Sequence, residues 1–341
     1  MSNPISGRAA YDLTILHQIG LQRYSLIVLK RMKSSLAIMR QDLERQLRDT
    51  LAAGENAERE PGSLRLQALL RQVELTQAEA HRAIATQFDA DLAPVVAVEA
   101  EFISRLAQAT TGIETELFAP VIGTDVRLAT VSAPQLYSAV MSNPLQGKTL
   151  REWTKQLELG DRQRVRQQIT LGYLEGESVQ QVVKRVRQVG GITERGAETL
   201  ARTSMTHINA RAVEQNAKVN PSLFKEYQWL SVLDNRTTDI CKSRAGKVFI
   251  HGSSPLPPAH PNCRSTIYSL VQGVKAPDNL GYETWLRSQP DDVARDILGQ
   301  TRFKLWKDGT PVERFVEGNR SLTIAQLKAR DEAAFERAMK Q

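Results

Sequence analysis

The most informative stretch of the sequence runs from Trp229 to Tyr268 and reads WLSVLDNRTTDICKSRAGKVFIHGSSPLPPAHPNCRSTIY. It contains both cysteines of the chain, Cys241 and Cys263, and two of its five histidines. In the segment His260-Pro-Asn-Cys, two residues separate the imidazole from the thiol. One tight turn can therefore direct both side chains at a single ion, as in the knuckles of structural zinc sites. The stretch predicts a structural zinc site on Cys241, His260 and Cys263.

The fourth ligand of this predicted site is left open by the sequence. Asp234 is the first candidate, and Asp239 and His251 are alternatives. Zinc binding is worth roughly 10–16 kcal/mol in small zinc modules, so it could stabilise a proline-rich loop that has little core of its own. A competing interpretation is that the two cysteines are merely buried and the histidine lies at the surface, because Cys is among the most buried residue types.

Catalytic interpretations have less support in the sequence. It contains no HExxH helix, no GxSxG elbow, no GxxxxGK[ST] phosphate loop and no GxGxxG after a strand. A nucleophile and base formed by Cys241 and His260 is one alternative. A nuclease-like metal site on Asp234 and Asp239 is another. The expectation is that the chain is not an enzyme.

The residues before this stretch have the pattern of helices. From Ala9 to about Leu106, apolar residues recur at spacings of three to four, and the polar segment Gly54–Gly62 interrupts them. Thr110–Pro134 is richer in Gly, Pro and β-branched residues, which favours a domain boundary there. Further helices are predicted at Pro134–Met141, from Leu150 after a Thr149 cap, at Val179–Val189 ended by Gly190 and Gly191, and at Ala197–Lys218 after a Thr193 cap.

Strands are predicted after Pro221, where aromatic and β-branched residues become frequent. The candidates are Glu226–Leu233, Lys247–Ile250 and Ser265–Val271, followed by short helices around Trp285, Ile297, Trp306 and Leu327. The predicted fold class is α+β. Three domains follow: an N-terminal helical region at 1–125, a domain at 126–273 with a helical half (132–220) and a β-containing half (224–272), and a C-terminal helical extension at 274–341.

Composition limits the cellular setting and the partners. The chain has 45 Lys and Arg against 38 Asp and Glu, a formal charge of +7, which suits acidic partners such as DNA but also plain solubility. Two cysteines exclude a disulfide scaffold and favour a reducing compartment or a local metal site. The opening MSNPISGRAAYDLT has no signal-peptide pattern. We expect a protein made in the cytoplasm and used there or carried in a particle assembled there.

One set of residues occurs, in order, at Asp234, Arg236, Thr237, Cys241, Gly246, Pro257, Pro258, His260, Pro261, Asn262, Cys263 and Arg264. This order resembles the signature of the phage Mu F-like head-morphogenesis family. Upstream, Gly176-Glu-Ser178 and the run Ala197–Thr203 through Asn209 are similar to the helical half of the family's domain. The resemblance extends from about Gly172 to Gly309. Residues expected to have a structural role are Arg202, Thr203, Asn209, Arg236, Thr237, Gly246, Pro258 and Arg264.

The chain departs from the family pattern at two positions. Members often have Glu where this chain has Ser204, and many have Cys where this chain has Ser265. The second departure removes one potential metal ligand. Any zinc would therefore need Asp234 or His251 to complete its coordination. Arg202 and Asn209, seven residues apart on one predicted helix face, are expected to link the helical half to the sheet.

The resemblance implies a minor head protein that acts in capsid assembly at or near the portal of a tailed double-stranded DNA phage. The implied partners are the portal protein and the major capsid protein, with packaged double-stranded DNA as a further candidate and no membrane. The implied location is the virion head near the portal, and the host cytoplasm during assembly. Two alternatives stay open: a DNA-binding protein ejected with the genome, and a metal-dependent hydrolase or toxin-like domain.

Overall fold

The computed structural model describes residues 4–55, 62–113, 115–116, 128–232, 234, 236–274, 282–287, 289–317 and 320–340. The fold is α+β, as predicted, and consists of long helices and a small antiparallel sheet. In the described ranges, no helix combines the length and the apolar character that crossing a bilayer requires.

Two long helices form the N-terminal part. Helix α1 spans Gly7–Glu55 and α2 spans Gly62–Thr111. The predicted stripe is buried at Leu36, Met39 and Leu43, which confirms that the spacing of three to four marks a packing face. The predicted break at 54–62 agrees with the end of α1 and the start of α2, and its central residues lie outside the described ranges. Residues 114 and 117–127 of the predicted boundary at 110–134 also lie outside them.

The middle of the chain is helical. After the two-residue strands β1 (Thr115–Glu116) and β2 (Leu128–Ala129) come α3 (Ala133–Ser142), α4 (Leu150–Leu174) and α5 (Val179–Val219). Thr149 caps α4 as predicted. Its hydroxyl accepts from the Glu152 N–H, and the Glu152 carboxylate accepts from the Thr149 N–H.

One predicted helix end is wrong. Gly190 and Gly191 do not end a helix, because α5 continues through both of them to Val219. Thr193 is not a cap either: it is buried inside α5, and its hydroxyl donates to the carboxylate of Asp161 on α4. A Cβ on Gly190 would come within 2.8 Å of the Arg40 side chain. The small residue at 190 therefore serves side-chain packing in the middle of a helix.

The sheet contains β3 (Phe224–Leu230), β4 (Val248–Ile250) and β5 (Thr266–Val271) in the order β4-β3-β5. Both pairings are antiparallel, with Tyr227 opposite Phe249 on one side and Ser269 on the other. The three predicted strands are confirmed, although β3 ends at Leu230, three residues earlier than predicted. A short helix that was not predicted, α6 (Asp239–Arg244), lies between β3 and β4.

The C-terminal residues form short elements around their own apolar cluster. These elements are α7 (Tyr282–Arg287), α8 (Asp291–Leu298), α9 (Gln300–Lys307), a 3-10 turn (Val312–Phe315), β6 (Val316–Glu317), β7 (Arg320–Ser321), α10 (Ile324–Arg330) and α11 (Glu332–Lys340). Leu286, Leu298, Trp306 and Phe315 are among the buried members of the cluster. The four predicted short helices are thus present.

The chain divides into two compact units. The first comprises residues 1–21, 97–140 and 206–341, and contains the sheet and the C-terminal elements. The second comprises residues 22–96 and 141–205 and is a helical bundle. The predicted domains are contiguous segments, whereas each compact unit combines segments from separate parts of the sequence. The candidate metal ligands all lie in the first unit.

Candidate metal centre

Three side chains converge beside the sheet. Cys241 lies on α6, whereas His260 and Cys263 lie in the loop that leads from β4 to β5. Their ligand atoms all lie within 4.8 Å of one another, and this is the group of potential metal ligands found in the part of the chain that the structure describes. The predicted convergence of the two thiols and the imidazole is therefore present, and these residues could hold a metal.

The spacing of the three donors fits a tetrahedral ion. With Zn–S near 2.3 Å and Zn–N near 2.0 Å, a tetrahedral site places two sulfurs about 3.8 Å apart, and sulfur and nitrogen about 3.5 Å apart. The Cys241 and Cys263 sulfurs are 3.7 Å apart, and the Cys241 sulfur lies 3.2 Å from His260 Nε2. Both cysteines are free thiols and are buried. Donor type and separation thus both suit zinc.

A backbone hydrogen bond orients the imidazole. His260 Nδ1 lies 2.8 Å from the Pro261 carbonyl oxygen, which can only accept, so Nδ1 carries the proton. In the neutral ring, Nε2 then presents its lone pair towards the cysteines. Metal-ligating histidines are commonly oriented in this way by a carbonyl group on the second ring nitrogen.

The two thiols differ in acidity. The hydrogen bond from Cys241 and the neighbouring His260 outweigh burial and hold the pKa of Cys263 well below its ordinary value. The hydrogen bond to Cys263, together with burial, raises the pKa of Cys241. Burial would lower the pKa of His260, but its hydrogen bond and charge interaction with Cys263 outweigh burial and raise that pKa. The cluster therefore favours the thiolate form of Cys263, and the thiolate is the form of cysteine that binds a metal cation.

Hydrogen bonds to the main chain hold the ligand-bearing segments. The Thr206 hydroxyl, on α5, donates to the Cys263 carbonyl at 2.7 Å. The Ser231 hydroxyl donates to the Cys241 carbonyl at 2.8 Å, and its oxygen accepts from the indole N–H of Trp229 at 3.1 Å. These contacts were not predicted. The Ala-Arg-Thr run draws attention to Thr203, whereas Thr206 carries no sequence signal that distinguishes it.

The three candidates for a fourth ligand have other partners, and the group of potential ligand atoms that lie within 4.8 Å of one another contains none of them. Asp234 pairs with Arg264, at 2.6 and 2.7 Å. Asp239 pairs with Lys242 at 3.3 Å and with Arg302 at 3.2 Å. His251 lies 2.6 Å from Glu214 and 3.0 Å from Ser269. Each candidate has partners distant in sequence, and spacing along the chain cannot reveal them.

Asp234 instead organises the loop after β3. Its carboxylate accepts both Arg264 contacts, the Arg236 N–H at 3.0 Å and the Thr237 hydroxyl at 3.2 Å. Its backbone carbonyl accepts from the Tyr282 hydroxyl at 2.8 Å. Burial would raise the pKa of Asp234, but Arg264 outweighs it and lowers that pKa. The predicted signature residues Arg236, Thr237 and Arg264 thus surround one carboxylate.

The other signature residues have separate structural contacts. Gly246 has a φ of +80°, a conformation that favours glycine, and its N–H donates to the Trp229 carbonyl at 2.8 Å. Pro258 is buried and follows a cis Pro257–Pro258 bond. The Thr203 hydroxyl bonds to the Thr199 carbonyl within α5.

Asn209 and Arg202 differ in what they contact. Asn209 links α5 to two other segments, donating to Glu99 at 3.0 Å and accepting from Thr266 on β5 at 2.6 Å. The expected link to the sheet is therefore made by Asn209. Arg202 is ion-paired within its own helix, to Glu198 at 2.9 Å.

The fold and the cluster define a class: a helix-supported β module with a thiol and imidazole centre. Residues 163–268 match the family described as Phage Mu protein F like protein, so this segment of the chain is similar to that family. The match confirms the resemblance over these residues. It ends at Tyr268, before the trailing segment up to Gly309 that was also thought similar. No curated protein and no solved structure matched the chain.

Proposed function

We propose that this chain is a minor head protein that acts in capsid assembly at or near the portal of a tailed double-stranded DNA phage. The observation that carries this proposal is the match of residues 163–268 to the Mu F-like family. The partners proposed with it are the portal protein and the major capsid protein. The role proposed for the domain is structural, since assembly requires binding surfaces and a stable module rather than turnover.

Zinc is the metal proposed for the cluster, held by Cys241, His260 and Cys263. Two thiols and an imidazole are typical zinc ligands, and the measured separations suit a tetrahedral ion. When bound, zinc would supply coordinate bonds between α6 and the loop before β5. The chain itself supplies the orientation, through the Pro261 carbonyl and the Thr206 and Ser231 hydroxyls. Residues outside the group, or water, would complete the coordination.

The assembly role is tested by removing the protein from an otherwise complete phage. We expect heads assembled without it to be defective and non-infectious, and heads assembled with it to contain the chain in few copies, cross-linkable to the portal protein. Complementation with the wild-type chain is the control. Normal infectious heads in its absence would overturn the proposal.

A further inference from the structure

A second constellation, not used by the metal centre, lies on the sheet of the first unit. Glu214 comes from α5, His251 from the turn after β4, and Ser269 from β5. His251 Nδ1 lies 2.6 Å from Glu214 Oε2, and His251 Nε2 lies 3.0 Å from the Ser269 hydroxyl oxygen. The three side chains thus form one line of hydrogen bonds, from a carboxylate through an imidazole to a hydroxyl.

The carboxylate determines how the protons are arranged along this line. A carboxylate only accepts, so Nδ1 carries the proton and donates to Glu214. In the neutral ring, Nε2 then accepts from the Ser269 hydroxyl. Burial would raise the pKa of Glu214, but its contact with His251 outweighs burial and lowers that pKa. The second Glu214 oxygen accepts from the Gly252 N–H at 2.7 Å, so both oxygens are held in place.

The surroundings restrain the imidazole, whereas the serine residue is only partly buried. The Tyr227 ring lies 4.9 Å from the His251 ring, centroid to centroid, and the His251 side chain is 8% exposed. Ser269 is partly exposed. A nucleophile within hydrogen-bond reach of a base, with the base oriented by a third group, is the arrangement that activates serine in acyl transfer.

The main chain at Ser269 faces the edge of the sheet. The N–H and C=O of Trp229 both bond towards the β4 side, to Lys247 and Gly246. Because these directions alternate along an antiparallel strand, Tyr227 also faces β4, and its partner Ser269 directs its own N–H away from β3. Strand β5 is at the edge of the sheet. This N–H is therefore placed where it can donate to an oxyanion.

We propose that Ser269 is a nucleophile for acyl transfer, with His251 as its general base and Glu214 as the residue that positions His251. The Ser269 oxygen forms a bond to the carbonyl carbon of an ester, and its proton passes to His251 Nε2. The ester C–O bond then breaks, and His251 returns the proton to the leaving alcohol. Water releases the acyl group by the same steps, so ester and water become acid and alcohol. This activity goes beyond the proposed assembly role.

The cavity beside Ser269 is too small to hold a long acyl chain. A cavity of about 20 Å³ is lined by Ser269, Asn216, Thr14 and Thr110 together with apolar side chains. A cavity of this size holds about one water molecule. The substrate class is therefore a small, activated acyl ester that reaches the hydroxyl from outside, and not a long-chain lipid that would need an apolar tunnel.

The test treats the purified full-length protein with a fluorophosphonate probe, which labels activated serines, and locates the label by peptide mass spectrometry. We expect one label per chain, on Ser269, and hydrolysis of p-nitrophenyl acetate that the label abolishes. Glu214→Gln should slow labelling by about 10²–10⁴-fold while leaving the label on Ser269, because the glutamine no longer orients the required tautomer. Ser222→Ala, at an exposed serine before β3, is the matched control and should label like the wild type.

Mapping the label on the wild-type protein makes the result independent of whether Ser269→Ala folds. No label on Ser269 at millimolar probe would overturn the proposal. A label on another serine would also overturn it. If Glu214→Gln and the wild type are labelled at equal rates, Glu214 does not position His251. The proposed hydrogen-bonded line from Glu214 through His251 to Ser269 would then have no role in activating the serine. None of these outcomes bears on head assembly, so the two proposals fail separately.

Discussion

Asp161 on α4 has a buried carboxylate, and the residues that donate hydrogen bonds to it belong to the second unit. It accepts from His81 and from Gln77, both at 3.0 Å, and from the Thr193 hydroxyl. Burial would raise its pKa, but these hydrogen bonds outweigh burial and lower that pKa. The charged form of Asp161 is therefore favoured by folding, even though the residue is only 2% exposed.

Asp161→Ala should destabilise the protein by roughly 3–5 kcal/mol near neutral pH, because it leaves buried polar partners unsatisfied. The folded-state pKa lies below the unfolded value of about 3.9. The contribution of the charge is therefore fully present above that value and is lost as pH falls through the folded-state pKa. Urea unfolding of the wild type and of Asp161→Ala should be measured from pH 7 to pH 3. The difference between their free energies of unfolding should become smaller towards pH 3. A difference that is constant with pH would contradict this expectation.

Cys263→Ser tests the metal centre at its most acidic ligand. The wild-type protein should carry about one equivalent of zinc by elemental analysis, and the variant should lose both the metal and several degrees of melting temperature, because zinc binding contributes to folding. Ser253→Ala, at an exposed residue of the same loop, is the matched control and should keep both. If the wild type contains no metal and melts at the same temperature as the variant, the prediction of a structural zinc site is wrong.

At the scale of elements, α5 is the segment in which the sequence was most misleading. Two adjacent glycines usually indicate a helix end, yet α5 passes through them. Their surroundings differ. A Cβ at Gly190 would come within 2.8 Å of Arg40, which is ion-paired to Glu194, whereas a Cβ at Gly191 would come no closer than 3.8 Å to Arg195. Only position 191 has room for a methyl group.

Gly191→Ala should therefore raise the free energy of unfolding by about 0.5–1 kcal/mol, since alanine is the better residue inside a helix. Gly190→Ala is the matched comparison. Its methyl group must displace Arg40, so the gain should be cancelled or reversed. Chemical unfolding measures the free energy of unfolding of the two variants. If both substitutions stabilise the protein equally, the packing of Arg40 against position 190 does not contribute to stability.

The predictions that held depend on short-range patterns. The spacing of apolar residues predicted the burial in α1, and the two-residue spacing of His260 and Cys263 predicted their convergence. The features that were not predicted lack such a pattern. The pairing of Asp234 with Arg264, thirty residues away, has no local signal in the sequence. Helix α6 was missed because six residues are too few to show helical periodicity.

The hydrogen-bonded side chains of Glu214, His251 and Ser269 also could not be grouped from the sequence. They lie at 214, 251 and 269, on three elements, and none belongs to a catalytic motif. The absence of GxSxG and similar patterns argued against an enzyme, but it tests only sites whose residues are adjacent in sequence. Only the pairing of β3 with β5 and the path of the β4 turn bring these side chains together.

At the scale of the whole molecule, the net charge of +7 raises the question of DNA contact. Many of the arginines in the described chain are already ion-paired with carboxylates. Pairs of this kind in the second unit are Arg31 with Asp91, Arg40 with Glu194, Arg166 with Glu74 and Arg187 with Glu44. These cations are less available to phosphates than the composition alone indicates.

DNA binding by the purified chain should therefore be weak and independent of sequence. Between about 50 and 200 mM salt, its affinity should fall by less than the 10³-fold expected for six or more phosphate contacts. Fluorescence anisotropy with two unrelated duplexes over a salt series measures both properties. A steeper slope, or discrimination between the duplexes, would favour the alternative of a DNA-binding protein ejected with the genome.

The hydrogen bond from Thr206 to the Cys263 carbonyl bears on how this domain can change during evolution. Its acceptor is a main-chain group that every residue type has. A descendant that replaced Cys263 would lose a metal ligand but keep the attachment of the loop to α5. Substitution of a ligand side chain therefore leaves this main-chain attachment of the loop available, whereas loss of the Thr206 hydroxyl would remove it with all three ligands still present.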